Sequence, residues 1–120
     1  MAADTPDVEI GTAGRAGVLR LTPPQALNVL TAATCRDIDA ALIAGQSDPA
    51  VDLVLIEAAG DRAFCAGGDI AAIYAQGIRG DYAPGQTFWR EEYRTNARLF
   101  EYPKPVVSLM QGFVMGGGVG

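Results

Sequence analysis

Two glycine-bearing segments contain the residues best suited to chemistry in this 120-residue chain. The first, residues 64–69, reads FCAGGD, and the second, residues 115–120, reads MGGGVG. Each follows a predicted strand, and the glycines leave backbone N–H groups unshielded by side chains. Two such donors that converge on one oxygen form an oxyanion hole, which stabilises the tetrahedral intermediate of acyl transfer. We therefore take this pair of segments as the first indication of function.

The remaining side chains of the two segments favour structural roles. Asp69 is well placed to cap the helix that follows it. Cys65 is expected to be a small core residue, not a nucleophile, because its neighbours are apolar and the chain has no histidine to activate it. Gly116–Gly118 predicts the first turn of a helix whose dipole favours an anion, or simply a close backbone contact. The G-x-G-x-x-G spacing of a dinucleotide site is absent.

A second indication comes from Glu92, in a helix predicted over residues 86–102. At about 100° per residue, Glu92 and Asn96 lie inside the apolar arc of this helix. A carboxyl group in such a place tends to have a raised pKa and to lie at a functional site. Alternatively, Glu92 bonds Asn96 or a distant basic residue, or lies at a subunit contact. Asn96 itself is expected to be structural. The predicted apolar face comprises Phe88, Trp89, Tyr93, Leu99 and Phe100.

Composition excludes several classes of function. The absence of histidine removes Ser-His-Asp and Cys-His arrangements and the common zinc sites, so no metal is expected. A net charge of −5 and the absence of a basic run argue against a nucleic-acid or membrane partner. Two cysteines make no disulfide framework. Residues 1–7, predicted to be flexible, lack the features of a signal peptide, which predicts a cytoplasmic protein.

The elements that must position these residues alternate between strand and helix. Short strands are predicted over 8–10 and 17–21 around a turn at 11–14, and Thr31 is expected to cap a helix that ends near Gln46. Apolar runs at 52–58 and 106–110 are typical of buried strands. A glycine-bearing loop over 59–69, a short helix over 70–76 and a mobile loop over 77–85 lie between the runs. This order predicts a largely parallel α/β fold.

The two segments, at this separation, resemble those of the crotonase (enoyl-CoA hydratase/isomerase) superfamily. Three details are most similar to its 3-hydroxyisobutyryl-CoA hydrolases: Gly68 in AGGD, the sequence FWREEY at residues 88–93, and MGGGVG at 115–120. The resemblance covers residues 8–120 and implies the N-terminal part of a crotonase-like spiral of ββα units. It also implies an acyl-CoA thioester substrate in valine catabolism, no separate cofactor because CoA is part of the substrate, and a homo-oligomeric parent.

The resemblance also implies site residues. It gives the oxyanion donors as the backbone N–H groups of Ala66 and Gly117, and it matches Glu92 to a substrate-contacting acid. Gln25 departs from the basic residue common in the family, and its uncharged amide cannot make an ionic contact to the CoA phosphates. Residues implied for the CoA and substrate pocket are Gln25, Ala26, Ala66, Gly67, Gly68, Asp69, Ile70, Glu92 and Gly117.

The end of the second segment separates branches of the family. Hydratases carry a catalytic glutamate three residues after the middle glycine of the triplet, and here that position is Gly120. The resemblance therefore favours a hydrolase, whose water-activating acid would lie beyond residue 120. Two alternatives stay open: a hydratase or isomerase of the same superfamily, and an inactive truncated remnant or interaction module. On this reading the isolated chain is expected to be poorly folded or inactive.

Overall fold

A computed structural model describes residues 7–120 of the chain. The prediction of a flexible N-terminus falls mainly on residues 1–6, outside the described part. Asp7 is held in place, because its carbonyl accepts a hydrogen bond from the Thr22 N–H at 3.0 Å. The elements are β1 (Val8–Ala13), β2 (Ala16–Leu21), α1 (Ala32–Gln46), β3 (Leu53–Ala58), β4 (Ala63–Cys65), α2 (Ile70–Gly77), α3 (Ala83–Glu101), β5 (Val106–Ser108) and β6 (Phe113–Val114).

The main sheet has four strands in the order β1-β2-β3-β5. β1 and β2 form an antiparallel hairpin, while β2, β3 and β5 run parallel, as the alternation of strands and helices predicted. The hairpin turn is tighter than predicted: β1 continues to Ala13, and Gly14 supplies the left-handed conformation (φ 59°) that a short turn requires. β4 and β6 form a separate parallel pair.

Helix α1 begins as predicted. Thr31 and Thr34 form a reciprocal capping box, in which each side chain accepts a backbone N–H of the other residue at 3.1 Å. The helix buries Ile38 and Leu42 and packs against α3. Leu42 is completely buried and belongs to the same apolar cluster as Val54 of β3, so α1 covers one face of the sheet.

Three predicted elements need correction. The loop over 59–69 contains the short strand β4, because pairing with β6 satisfies its backbone. The loop over 77–85 shrinks to residues 78–82, since α3 begins at Ala83 with Pro84 in its first turn, where proline fits a helix. The run at 106–110 forms a strand only to Ser108, and Val107 is 42% exposed, because β3 is the strand paired with β5 among the described residues.

The buried face of α3 agrees with the prediction only in part. Gly85, Phe88, Glu92 and Thr95 are buried, and they follow the three- and four-residue spacing of one helical face. The prediction placed the centre of the apolar face too close to the bulky aromatic side chains, because these dominate the hydrophobic periodicity. In the structure Phe88 is buried and Leu99 packs against the core as predicted, while Trp89, Tyr93 and Phe100 are exposed. Their inward places are taken by Gly85, Glu92 and Thr95.

Candidate functional site

The segment between β2 and α1 positions the first glycine loop. Leu27 and Asn28 adopt left-handed backbone conformations, with φ of 55° and 53°. This turn buries the Asn28 side chain, whose amide donates hydrogen bonds to the carbonyls of Ala59 and Ala63 at 3.0 and 2.9 Å. The two carbonyls flank the start of the loop, so Asn28 fixes its entry. Sequence reasoning missed this residue, although an asparagine after two prolines is a known turn signal.

Backbone hydrogen bonds then run along the first loop. The Ala66 N–H donates to the Leu27 carbonyl at 3.0 Å, and the Leu30 N–H donates to the Gly67 carbonyl at 2.7 Å. Ala66 therefore cannot be the free donor that the resemblance implied, because its proton is already engaged. Two residues later, the Gly68 N–H has no acceptor within residues 7–120 and is the donor that the fold leaves open.

The second glycine loop packs directly against the first. The Met115 N–H donates to the Cys65 carbonyl at 3.1 Å. A side chain at Gly67, which has φ 95°, would place its Cβ 2.8 Å from the Met115 oxygen and 3.3 Å from the Gly117 nitrogen. The glycine at position 67 thus lets the two backbones meet.

Gly117 lies at the centre of this contact. Gly116–Gly118 form a short 3₁₀ helix, which agrees with the predicted helical turn. Within the described chain, no acceptor engages the Gly117 N–H. The structure therefore places two open backbone donors, those of Gly68 and Gly117, in loops that pack against each other.

Glu92 enters the same place from α3. Its exposed fraction is 8%, and a Cβ added to Gly117 would overlap its Oε1 atom and lie 3.2 Å from its Cδ atom. No hydrogen bond or ion pair to Glu92 occurs among residues 7–120, so the alternative of a bond to Asn96 is not realised. Burial raises the pKa of the Glu92 carboxyl group. This agrees with the prediction made from its place on the helix.

A cavity of about 130 Å³ adjoins Glu92 and Gly117. Its wall is mainly apolar, with Leu30, Phe64 and Leu99 among the contributing side chains. Such a space suits a small apolar group next to a polar reacting centre. Its polar lining comes chiefly from Glu92, Thr95, Asn96 and Ser108.

The two cysteines also line this cavity, and both are buried free thiols with raised pKa values. Desolvation raises the pKa of the Cys35 thiol to about 12 and raises that of Cys65, and the nearby Glu92 carboxylate adds to both shifts. A thiol with a raised pKa is a poor nucleophile at neutral pH. Cys65 is 1% exposed, in agreement with its predicted place in the core.

The residues implied for CoA lie beside the first loop. Asp69 caps α2 as predicted, with its carboxylate accepting the Ala72 N–H at 3.2 Å. Gln25 and Ala26 are exposed and immediately precede Leu27, which binds the loop. Ile70 is 66% exposed at the start of α2. The fold thus brings these residues to one region, and their contacts with CoA stay a prediction.

The profile of the family described as enoyl-CoA hydratase/isomerase matches residues 16–120. A 3-hydroxyisobutyryl-CoA hydrolase from Danio rerio, named as mitochondrial, is 48% identical over 107 residues, or 89% of this chain and 28% of the relative. The Homo sapiens protein of the same name is 44% identical over 108 residues. The chain spans about 28% of the length of these curated relatives.

Solved structures give the same fold with different names. A protein from Rhodobacter sphaeroides, described as an enoyl-CoA hydratase, is 58% identical with a TM-score of 0.88, covering 94% of this chain and 34% of that one. A protein from Mycobacterium thermoresistibile, described as a carnitinyl-CoA dehydratase, is 44% identical with a TM-score of 0.91, covering 96% and 34%. These comparisons confirm the predicted crotonase-like α/β fold.

Proposed function

The chain belongs to the enoyl-CoA hydratase/isomerase, or crotonase, family, and from that premise we propose that it forms part of an acyl-CoA thioester hydrolase. The single observation that carries this proposal is the meeting of two glycine loops, with open donors at Gly68 and Gly117, beside the buried carboxyl of Glu92. The names of the curated relatives favour a 3-hydroxyisobutyryl-CoA substrate.

In this proposal the thioester carbonyl oxygen accepts hydrogen bonds from the N–H groups of Gly68 and Gly117. These donors are fixed by the packing of one loop on the other, so they need no rearrangement as negative charge develops on the oxygen. Removing one donor of this kind typically raises the barrier by about 2.7–4 kcal/mol. Attack of water on the carbonyl carbon and departure of the CoA thiolate then give free CoA and the hydroxy acid.

Glu92 contacts the substrate or the attacking water in this arrangement. Because burial raises its pKa, its neutral form can donate a hydrogen bond beside the oxyanion, where a second negative charge would be unfavourable. Glu92 is the one carboxyl group in the described cavity lining. General acid–base help from another carboxylate, typically about 10²–10⁴-fold, would come from outside residues 7–120.

A hydratase of the same family is the second candidate, favoured by the name of the 58% identical Rhodobacter structure. Against it, the position of the hydratase glutamate is Gly120. A Cβ there would lie 3.5 Å from the Asn96 amide nitrogen. The position therefore has room for a Cβ atom, but the chain has no carboxylate there. Two-glutamate hydration therefore lacks one of its groups.

The test is a direct comparison of two reactions. The protein, expressed in the full reading frame that contains these residues, should release free CoA from 3-hydroxyisobutyryl-CoA and should not hydrate crotonyl-CoA. Glu92→Gln should lower kcat/KM for CoA release, whereas Glu91→Gln should not, because Glu91 pairs with Arg94 at 3.4 Å away from the cavity. Hydration of crotonyl-CoA without release of CoA would refute the proposal and support the second candidate.

A further inference from the structure

Helix α3 presents two polar side chains to the cavity one helical turn apart. Glu92 and Asn96 both line it, and residues four apart on a helix lie about 6 Å from each other along the axis. Glu92 marks the end of the cavity that contains Gly117, since its Oε1 atom lies against that glycine. Asn96 is therefore placed one turn away from the oxyanion donor.

The Asn96 amide is free to bind a ligand. Thr95, its neighbour in the lining, already uses its hydroxyl on the carbonyls of Cys35 and Glu91, at 3.0 and 2.9 Å. By contrast, no hydrogen bond to the Asn96 side chain occurs within the described chain. Its amide nitrogen lies beside Gly120, where the absence of a side chain leaves room.

The volume of the cavity matches a small group beside this amide. At about 130 Å³ it is slightly smaller than an engineered cavity of about 150 Å³ that holds benzene. An acyl group of about six non-hydrogen atoms fits this space. Gly117 and Asn96 line the same cavity one helical turn apart, so an acyl group whose carbonyl oxygen lies at Gly117 has room to extend to Asn96.

We propose that Asn96 determines acyl specificity, by hydrogen-bonding a hydroxyl group on the third carbon of a small acyl chain through its side-chain amide. This inference rests on the proposed function and names the substrate class of the same site: short 3-hydroxyacyl thioesters in preference to unsubstituted ones. An amide both donates and accepts hydrogen bonds, so it can accept the proton of a hydroxyl group or donate an N–H to its oxygen. An unsubstituted chain leaves the amide without a partner, which is costly in a partly buried place.

The experiment compares 3-hydroxyisobutyryl-CoA with isobutyryl-CoA, which lacks only the hydroxyl group. The unsubstituted protein, in its full reading frame, should prefer the hydroxylated thioester by about 10-fold or more in kcat/KM. Asn96→Leu should lower kcat/KM for that thioester by about 10-fold and leave isobutyryl-CoA nearly unchanged, which abolishes the preference. Gln86→Leu is the matched control, because it removes an exposed amide from the same helix away from the cavity.

Each other outcome is decisive. Equal loss on both thioesters in Asn96→Leu would overturn the proposal in favour of a structural role, and so would a preference that survives the substitution. Loss of the preference in Ser108→Ala but not in Asn96→Leu would assign the hydroxyl to Ser108, the other lining side chain with no hydrogen bond among residues 7–120. If Asn96→Leu fails to fold, Asn96→Ser, which keeps a hydroxyl of its own, should retain part of the preference.

The proposed function can fail separately. If neither thioester releases CoA, hydrolysis is refuted, and calorimetric binding of the same two thioesters still tests Asn96. Tighter binding of the hydroxylated thioester, lost in Asn96→Leu, would support the specificity role without hydrolysis. Equal binding of the two thioesters would overturn it.

Discussion

Gly117→Ala should disable the site while leaving the fold largely intact. The backbone at Gly117 is not in the left-handed region, so alanine is permitted there. Its methyl group would overlap the Oε1 atom of Glu92, and the carboxyl group must retreat by roughly 1.5 Å to regain an ordinary contact of about 3.5 Å. A side chain can make this movement cheaply, so we expect stability to fall by less than about 1.5 kcal/mol.

The catalytic cost should be far larger than the cost in stability. Misplacing a reacting or binding group by about 1 Å can reduce the rate by about 10²-fold. We therefore expect kcat/KM for CoA release to fall by about 100-fold, which corresponds to about 2.7 kcal/mol. Release of CoA, followed with a thiol reagent, measures the activity, and urea unfolding measures the stability.

Gly118→Ala, at the adjacent position, is the matched control. Its methyl group would meet the carbonyl of Cys65 and lie 2.9 Å from the Cys65 Cβ atom. Because that obstacle is backbone and cannot retreat like a side chain, this variant should lose about 1–3 kcal/mol of stability. Comparing activity and stability in the two variants therefore distinguishes displacement of the Glu92 carboxyl group from damage to the packing of the core.

A double-mutant cycle tests whether Glu92 carries the effect of Gly117→Ala. In a Glu92→Ala background the methyl group finds no carboxylate, so adding Gly117→Ala should cost little more activity. An equal loss in both backgrounds would show that the methyl group acts on the oxyanion donor itself. Full activity of Gly117→Ala with Glu92 present would refute the reasoning altogether.

Three further predictions follow from the surroundings of the site. Burial raises the pKa of Glu92 above its ordinary value of 4.5. The folded protein is therefore not destabilised by Glu92 at a pH below that value, where the carboxyl group is neutral, and it loses stability as the pH rises through the raised pKa. Glu92→Gln should thus unfold at higher urea than the unsubstituted protein at about pH 8, and the difference should vanish at about pH 4; a constant difference would contradict this. Asn28→Ala should lower stability by about 1–3 kcal/mol in thermal unfolding, because two buried carbonyls lose their donor. Cys35 and Cys65 should resist iodoacetamide at neutral pH and react in urea, as measured by mass spectrometry; rapid labelling of the folded protein would contradict their burial.

The sequence by itself determined the fold class, the capping of α1 by Thr31 and of α2 by Asp69, and the inward place of Glu92. These depend on local signals: a threonine or aspartate before an apolar run, and a carboxylate at helical spacing among apolar residues. The glycine loops were also visible in the sequence, because clustered glycines mark places where the backbone approaches another group too closely for a side chain.

Only the tertiary structure decided which backbone donors are free. Ala66 and Gly68 lie in one loop with similar local sequence, but the carbonyl of Leu27, in the turn before α1, engages the Ala66 N–H, and no acceptor among residues 7–120 engages that of Gly68. The rotation of α3 depended equally on distant partners. Its large aromatic residues outweigh the small ones in any periodicity, whereas close packing on α1 and α2 buries Gly85 and Thr95 on the same face as Phe88. Hydrogen bonding and packing between segments distant in sequence set these features. A local sequence pattern cannot predict them, because it does not show which distant segment packs against it.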